Sequence, residues 1–140
     1  MAFMAVALAI VLMPVAAYAI DSATVSSAAA ALQEATAMAA LDAAQQLNTR
    51  DFRADGTFGV DETAARQAAR DLLAKDAPAA YVAAMTVSGA EVTVATGEVI
   101  RLPFNFFPEA VVRLDARASA RLAGGYDRPS SRLPLPVSNF

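Results

Sequence analysis

The stretch Met1–Leu47, MAFMAVALAIVLMPVAAYAIDSATVSSAAAALQEATAMAALDAAQQL, decides the fold. Met1 to Ile20 carries no charged residue, and Asp21 ends the run. A helix of that length spans about 30 Å, the thickness of a bilayer core. Tyr18 stands near the far end, where an interfacial aromatic sits. Pro14 would kink a helix in water, but membrane helices tolerate proline better. Three readings compete. The first is a retained membrane helix, which the run fits best. The second is a signal peptide, with Ala17-Tyr18-Ala19 as an A-x-A-like cleavage site; against it, the first basic residue is Arg50. The third is the core helix of a soluble protein, which would need a larger partner surface than the remaining chain easily supplies.

From Ser22 to Leu47 there is no Gly and no Pro, and Ala, the best helix former, dominates. The helix is therefore expected to continue from about residue 3 to 48, roughly 70 Å at 1.5 Å per residue. Leu32, Ala35, Ala39 and Ala43 advance by helical steps and form a small-residue stripe, with Glu34, Asp42 and Gln45 around the rest. Such a stripe lets a neighbouring helix approach closely. It suits packing with copies of the chain or relatives; the plainer alternative is packing against the chain's own domain. In the first case Ala39→Leu should disrupt helix packing between copies without unfolding the head.

The rest of the composition narrows the chemistry. The chain has 140 residues, a net charge of -3, no Cys and no His. The length allows one small domain, or a membrane helix with a small domain. Disulfides, zinc-thiolate sites and thiol catalysis are excluded, and the usual general base is missing. No Ser/His, Cys/His or paired-carboxylate constellation has catalytic spacing, so no enzyme, cofactor or small-molecule substrate is expected. Nucleic-acid binding is not expected either, because the chain is acidic and Glu98–Phe140 holds only six Arg against four Asp/Glu.

Residues 11–47, VLMPVAAYAIDSATVSSAAAALQEATAMAALDAAQQL, resemble the N-terminal signature of the TadE/TadG-like proteins of the tight-adherence (Flp) pilus assembly system. The signature's Leu-Pro-type step corresponds to Leu12-Met13-Pro14, with one residue inserted. Its acidic residue corresponds to Asp21. Leu32-Gln33-Glu34-Ala35 matches the Leu-Gln-x-Ala element, and Ala39-Ala40-Leu41-Asp42-Ala43-Ala44 matches the closing run. The basic residues and Gly that usually precede the hydrophobic run are absent, as is the Glu that type IV pilins carry near the mature N-terminus. The resemblance implies a structural pilin-like subunit or minor pseudopilin, packed through Pro14, Asp21, Leu32, Gln33, Ala35, Ala39, Ala40 and Leu41. It implies other copies or related subunits and membrane lipid as partners. The location it implies is an inner membrane with an extracytoplasmic head, or a cell-surface filament after assembly.

Beyond residue 48 the pattern changes. Asn48–Val60, with Gly56, Gly59 and several Asp/Asn turn formers, is expected to break the helix. Asp61 is a cap for a second helix from Glu62 to about Lys75, with Ala64, Ala65, Ala68, Leu72 and Leu73 on its apolar side and Arg66, Arg70 and Asp71 in water. Asp51–Glu62 resembles an EF-hand loop, but Arg53 stands at the third ligand position, where it removes an oxygen and adds a repelling charge. A D-G turn leading into an acidic helix start accounts for these residues without an ion.

From Tyr81 the period falls to two. Tyr81–Ser88 and Glu91–Thr96 are expected to pair across Gly89-Ala90, with a second turn at Gly97-Glu98 and a short third strand Val99–Leu102. Ala110–Leu122 alternates throughout: even positions are apolar, while Arg113, Asp115, Arg117, Ser119 and Arg121 face outward. Arg113, Arg117 and Arg121 are candidates for an anionic partner surface, or simply a solvated face that deters edge pairing. Phe104, Phe106 and Phe107 between two prolines either plug the core or contact a membrane or neighbour. The tail beyond Gly124 is Pro-rich and reads as an extended arm.

The expected fold is thus α+β: a long hydrophobic N-terminal helix, a second short helix and a small antiparallel sheet. The expected division is residues 1–48, a head over 49–123, and a tail over 124–140. The leading functional expectation is a structural subunit that assembles by helix packing. The alternative is a single-pass accessory subunit, a binding module of a membrane complex.

Overall fold

The computed structural model describes residues 2–104 and 111–123. The α+β fold expected from the sequence is present: a long apolar N-terminal helix, shorter helices and a three-stranded antiparallel sheet. Helix α1 spans Ala2–Ala44 and passes through Pro14 without a break. It stops where the chain folds back on itself. Asn48 N–H donates to Gly59 O at 2.8 Å, Asp61 N–H donates to Gln46 O at 2.7 Å, and Leu47 bridges Val60. These bonds claim the backbone groups that a further helical turn would need.

The expected loop at Asn48–Val60 contains a short helix, α2 (Thr49–Asp55). Local capping accounts for it. Asn48 Oδ1 accepts from the N–H groups of Arg50 and Asp51, and Gly56, at φ 75°, closes the other end with its N–H on Phe52 O. No α2 residue is buried, and the Phe52 and Phe58 rings meet edge-on at 4.9 Å. Helix α3 (Glu62–Asp76) begins as expected at Asp61, whose carboxylate accepts from Thr63 and Ala64 N–H. It buries Ala65, Ala69 and Leu73; Ala64, Ala68 and Leu72 are half-buried, and Arg66, Arg70 and Asp71 are exposed.

Strands β1 (Tyr81–Ser88), β2 (Glu91–Arg101) and β3 (Val111–Arg121) pair antiparallel in the order β1-β2-β3. The turn at Gly89-Ala90 forms as expected, with Gly89 at φ 60°. The expected second turn at Gly97-Glu98 does not. Gly97 is extended and pairs with Tyr81 on one side and Asp115 on the other, so the two short strands are one. A central strand with partners on both edges overrides a local turn signal. The Tyr81 ring fills the space above Gly97, where a Cβ would lie 2.5 Å from its Oη.

The sheet has one covered face. Val92, Val94 and Thr96 of β2, and Leu114 and Ala116 of β3, lie buried against the second half of α1. Helix α3 packs beside α1 over the β1 side. The core of the head, expected over 49–123, therefore includes Leu32, Ala35, Ala39, Ala40, Ala43 and Ala44 of α1. Ala110 and the expected tail over 124–140 lie outside the described residues.

Candidate functional site

Three surfaces carry the residues singled out in the sequence: the free half of α1, its junction with the head, and the outer face of the sheet.

The first half of α1 projects from the head. Met4, Val6, Leu8, Ile10, Val11, Leu12, Met13 and Val15 are more than half exposed, Tyr18 and Ile20 slightly less, and Pro14 is exposed with them. Side chains on every side of this segment are apolar, so it lacks the polar face that a surface helix presents to water. The helix is long and apolar enough to cross a membrane.

The second half behaves differently. Leu32, Ala35, Thr36, Ala39, Ala40, Ala43 and Ala44 are buried, a stripe in steps of three and one. The sequence pointed this seam toward copies of the chain. In the structure it is filled from within: Ala35, Ala39, Ala40, Ala43 and Ala44 share a core with Ala65, Ala69 and Leu73 of α3 and Val92 and Val94 of β2. Leu32 packs with Leu114 and Ala116 of β3. The Ala residues serve close approach, as the stripe implied, but the neighbours are the chain's own sheet and α3. Gln33 and Leu41 stand off the seam. Gln33 Nε2 donates to Arg117 O at 3.3 Å, tying α1 to β3, and Leu41 is 50% exposed.

One polar pair inside this core was not anticipated. Thr36 Oγ1 donates to Leu32 O at 2.6 Å and lies in hydrogen-bond contact with Thr96 Oγ1. Thr36 has a single O–H, so Thr96 is the donor between the two. Both are fully buried. Thr36 lies four residues beyond Leu32 on the stripe, and Thr96 continues the inward series Val92, Val94. Each position was legible as inward; their meeting was not.

Asp21 marks the junction. It is 0% exposed, and its Oδ1 accepts from Phe104 N–H at 3.1 Å. A carboxylate that ends an apolar run is costly to bury without partners. A backbone N–H from the segment following β2 supplies this bond, which pins that segment to α1. Phe104 does not plug the core: it is 54% exposed, while Leu102, two residues earlier, is buried. Phe106 and Phe107 lie outside the described residues.

Among the described residues nothing packs on the outer sheet face. Arg113, Arg117 and Arg121 point outward from β3 as the alternation predicted, with Asp115 and Ser119 between them. Arg101 joins them from the end of β2, opposite Val111. Arg113 Nη2 donates to Tyr81 Oη at 2.9 Å, and Ser119 and Thr93 hydroxyls meet at 2.7 Å.

The EF-hand-like stretch takes another form. Asp51 and Asp55 are inside α2, where an EF-hand would hold an open loop. Asp51 accepts from Asn48 Nδ2, Asp55 from Thr57 N–H, Asp61 caps α3, and Glu62 pairs with Arg66. The Thr57 side chain, then its backbone N–H, hold the Asp55 carboxyl below the usual range. Among the described residues no cluster of three or more Asp/Glu is placed to hold a metal ion.

No protein-family model matches the chain, and no curated protein or solved structure matches it.

Proposed function

We propose that the chain is a pilin-like structural subunit, anchored by the first half of α1 and assembling through it with other copies or related subunits. The observation that carries the proposal is the division of one continuous helix into an exposed apolar half and a half built into an α/β head. Eight large apolar side chains between Met4 and Val15 are more than half exposed, and transferring such groups from water to an apolar setting is worth on the order of 10 kcal/mol in total. Lipid is one such setting and a bundle of like helices is another. Exchange of one for the other would let a membrane precursor become part of a filament. The resemblance of residues 11–47 to TadE/TadG-like proteins supports a minor pseudopilin or pilin of a tight-adherence system, with the head outside the inner membrane or on a cell-surface filament. The work of such a subunit is packing, not chemistry. Because the Ala seam is occupied by the head, the assembling surface is Met4–Ile20, not Leu32–Ala44.

One observation favours a second reading, a single-pass accessory subunit of a membrane complex. On the sheet's outer face Arg113, Arg117 and Arg121 are exposed, which suits an acidic partner. Electron microscopy of the full chain purified from membranes separates the two. Filaments or oligomers of identical chains are expected; a single copy bound to unlike proteins would replace the first reading with the second.

A further inference from the structure

Because α1 runs unbroken from its free half into the head, it sets which part of the head stands nearest the apolar segment. Ile20 is the last exposed large apolar side chain before Asp21, the first charged residue. The apolar-to-polar boundary is therefore at this pair. The hydrogen bond from Phe104 N–H to Asp21 Oδ1 holds the segment after β2 at the same level. We propose that this end of the head is a foot that seats on an anionic bilayer surface: Phe104 enters the interfacial layer, and Arg101 and Arg113 bind lipid phosphate. The proposal rests on the membrane reading of α1 and adds a second contact to it.

Phe104 is a large aromatic, more than half exposed, beside the last exposed turn of a membrane-length helix. Phe is one of the side chains that interfacial segments bury into the boundary between headgroups and acyl chains. The arginines lie slightly below. Ile100 and Val112 pack on the same Leu32, Leu114 and Ala116 cluster as Val25 and Ala28 of α1, which stand four and seven residues past Asp21, or roughly 6 and 10 Å along the axis. Arg101 and Arg113 are next to Ile100 and Val112 in sequence, on the opposite, outer face. The headgroup layer of one leaflet is about 5–8 Å deep, and an arginine stem extends its guanidinium toward that layer. Exposed Val99 and Val111 lie between and beside them, giving the mixed apolar and basic surface that interfacial binding uses.

Charge favours lipid phosphate at this end. Asp21 is buried. The acids of the described outer face, Asp115 and Glu91, lie farther from the junction, Asp115 two pairs beyond Arg113 and Glu91 at the opposite end of β2. Glu98 is on the inner face. Arg113 donates one N–H to Tyr81, which orients the guanidinium, and the fork has further donors for a phosphate.

The chain contains no Trp, so one introduced indole is a clean reporter. Full-length Phe104→Trp and, separately, Leu12→Trp are reconstituted into vesicles of phosphatidylcholine alone or mixed with phosphatidylglycerol. Brominated lipids then report depth by quenching. The expected result is blue-shifted Phe104→Trp emission, quenched best by bromines near the headgroup, with stronger quenching when phosphatidylglycerol is present. That added quenching should be lost in the background Arg101→Gln/Arg113→Gln. Quenching of Leu12→Trp without quenching of Phe104→Trp overturns the foot and leaves the anchor standing. Quenching of neither overturns the anchor reading and the foot with it. Phe104→Trp quenching that ignores phosphatidylglycerol, or persists in the arginine double variant, overturns the anionic contact. A Phe104→Trp shift in detergent-solubilised oligomers but not in vesicles assigns the surface to a neighbouring subunit instead.

Discussion

Ala39→Leu tests the central structural finding, that the small-residue seam of α1 is closed by the chain's own head. Ala39 is 0% exposed and shares its core with α3 and the central strand. Leucine adds three carbons. Had the site been roomy, their transfer would gain about 0.8 kcal/mol per methylene. The neighbours are Ala35, Ala40, Ala43, Ala65 and Ala69, which are small because the two helices approach closely, so the added volume must push α1 from α3 or from β2. Overpacking of this kind costs about 1–3 kcal/mol. Ala31→Leu is the control, an exposed position on the same helix where only a propensity change of a few tenths of a kcal/mol is expected. Hydrogen exchange of the Val92 and Val94 amides, in the full chain held in mild micelles, reads the opening of the head. At tenfold per 1.4 kcal/mol, Ala39→Leu should accelerate exchange about 5- to 150-fold, and Ala31→Leu less than about twofold. Equal, small effects of both substitutions would refute the internal seam. If Ala39→Leu then weakened association between chains with head exchange unchanged, the seam would belong to assembly after all.

Other predictions follow from single contacts. Thr36→Val leaves the buried Thr96 O–H without its acceptor and should cost about 1–3 kcal/mol in thermal or denaturant unfolding, while Thr36→Val/Thr96→Val should be milder than Thr36→Val alone. Asp61→Ala removes the cap that accepts from Thr63 and Ala64 and should cost about 0.5–2 kcal/mol, with amide exchange rising first in the initial turn of α3. Asp55 has its folded-state pKa depressed by Thr57, so its contribution to the turn after α2 is present above the unfolded carboxylate pKa and is lost as pH falls through the lower folded value. The Thr57 amide resonance should therefore keep its hydrogen-bonded shift at neutral pH and lose it only in acid; Asp55→Asn should remove that titration.

What could be read from the sequence was what repeats locally. The α1 helix follows from a run of strong helix formers without Gly or Pro, and β3 from an alternation that no helix can satisfy. Caps at Asp61 and the turn at Gly89 are likewise local, each decided by one side chain or one backbone angle. Gly97-Glu98 misled for the opposite reason. A Gly-polar pair is a turn signal in isolation, yet β1 and β3 bond to both sides of it and the Tyr81 ring covers it. Thr49–Asp55 was missed because seven residues with two Arg and two Asp show no apolar period; capping at both ends makes that helix. For the candidate site, Asp21 was legible as the end of the apolar run and the β3 arginines as outward. The burial of Leu102 in place of Phe104 was not, since hydrophobicity ranks Phe first and only the path of the chain past Asp21 decides which side chain enters.

The sequence by itself determined that one long helix has an apolar half and an Ala-striped half, because period, propensity and charge are properties of neighbouring residues. It also set the inward and outward faces of β3. Only the tertiary structure decided what fills the Ala stripe. A seam of small residues presents the same narrow surface to a second copy as to the chain's own sheet, and the choice depends on contacts between residues far apart in sequence. Those contacts assign Leu32, Ala35, Ala39 and Ala40 to the head, while the large apolar side chains described from Met4 to Ile20 stay exposed.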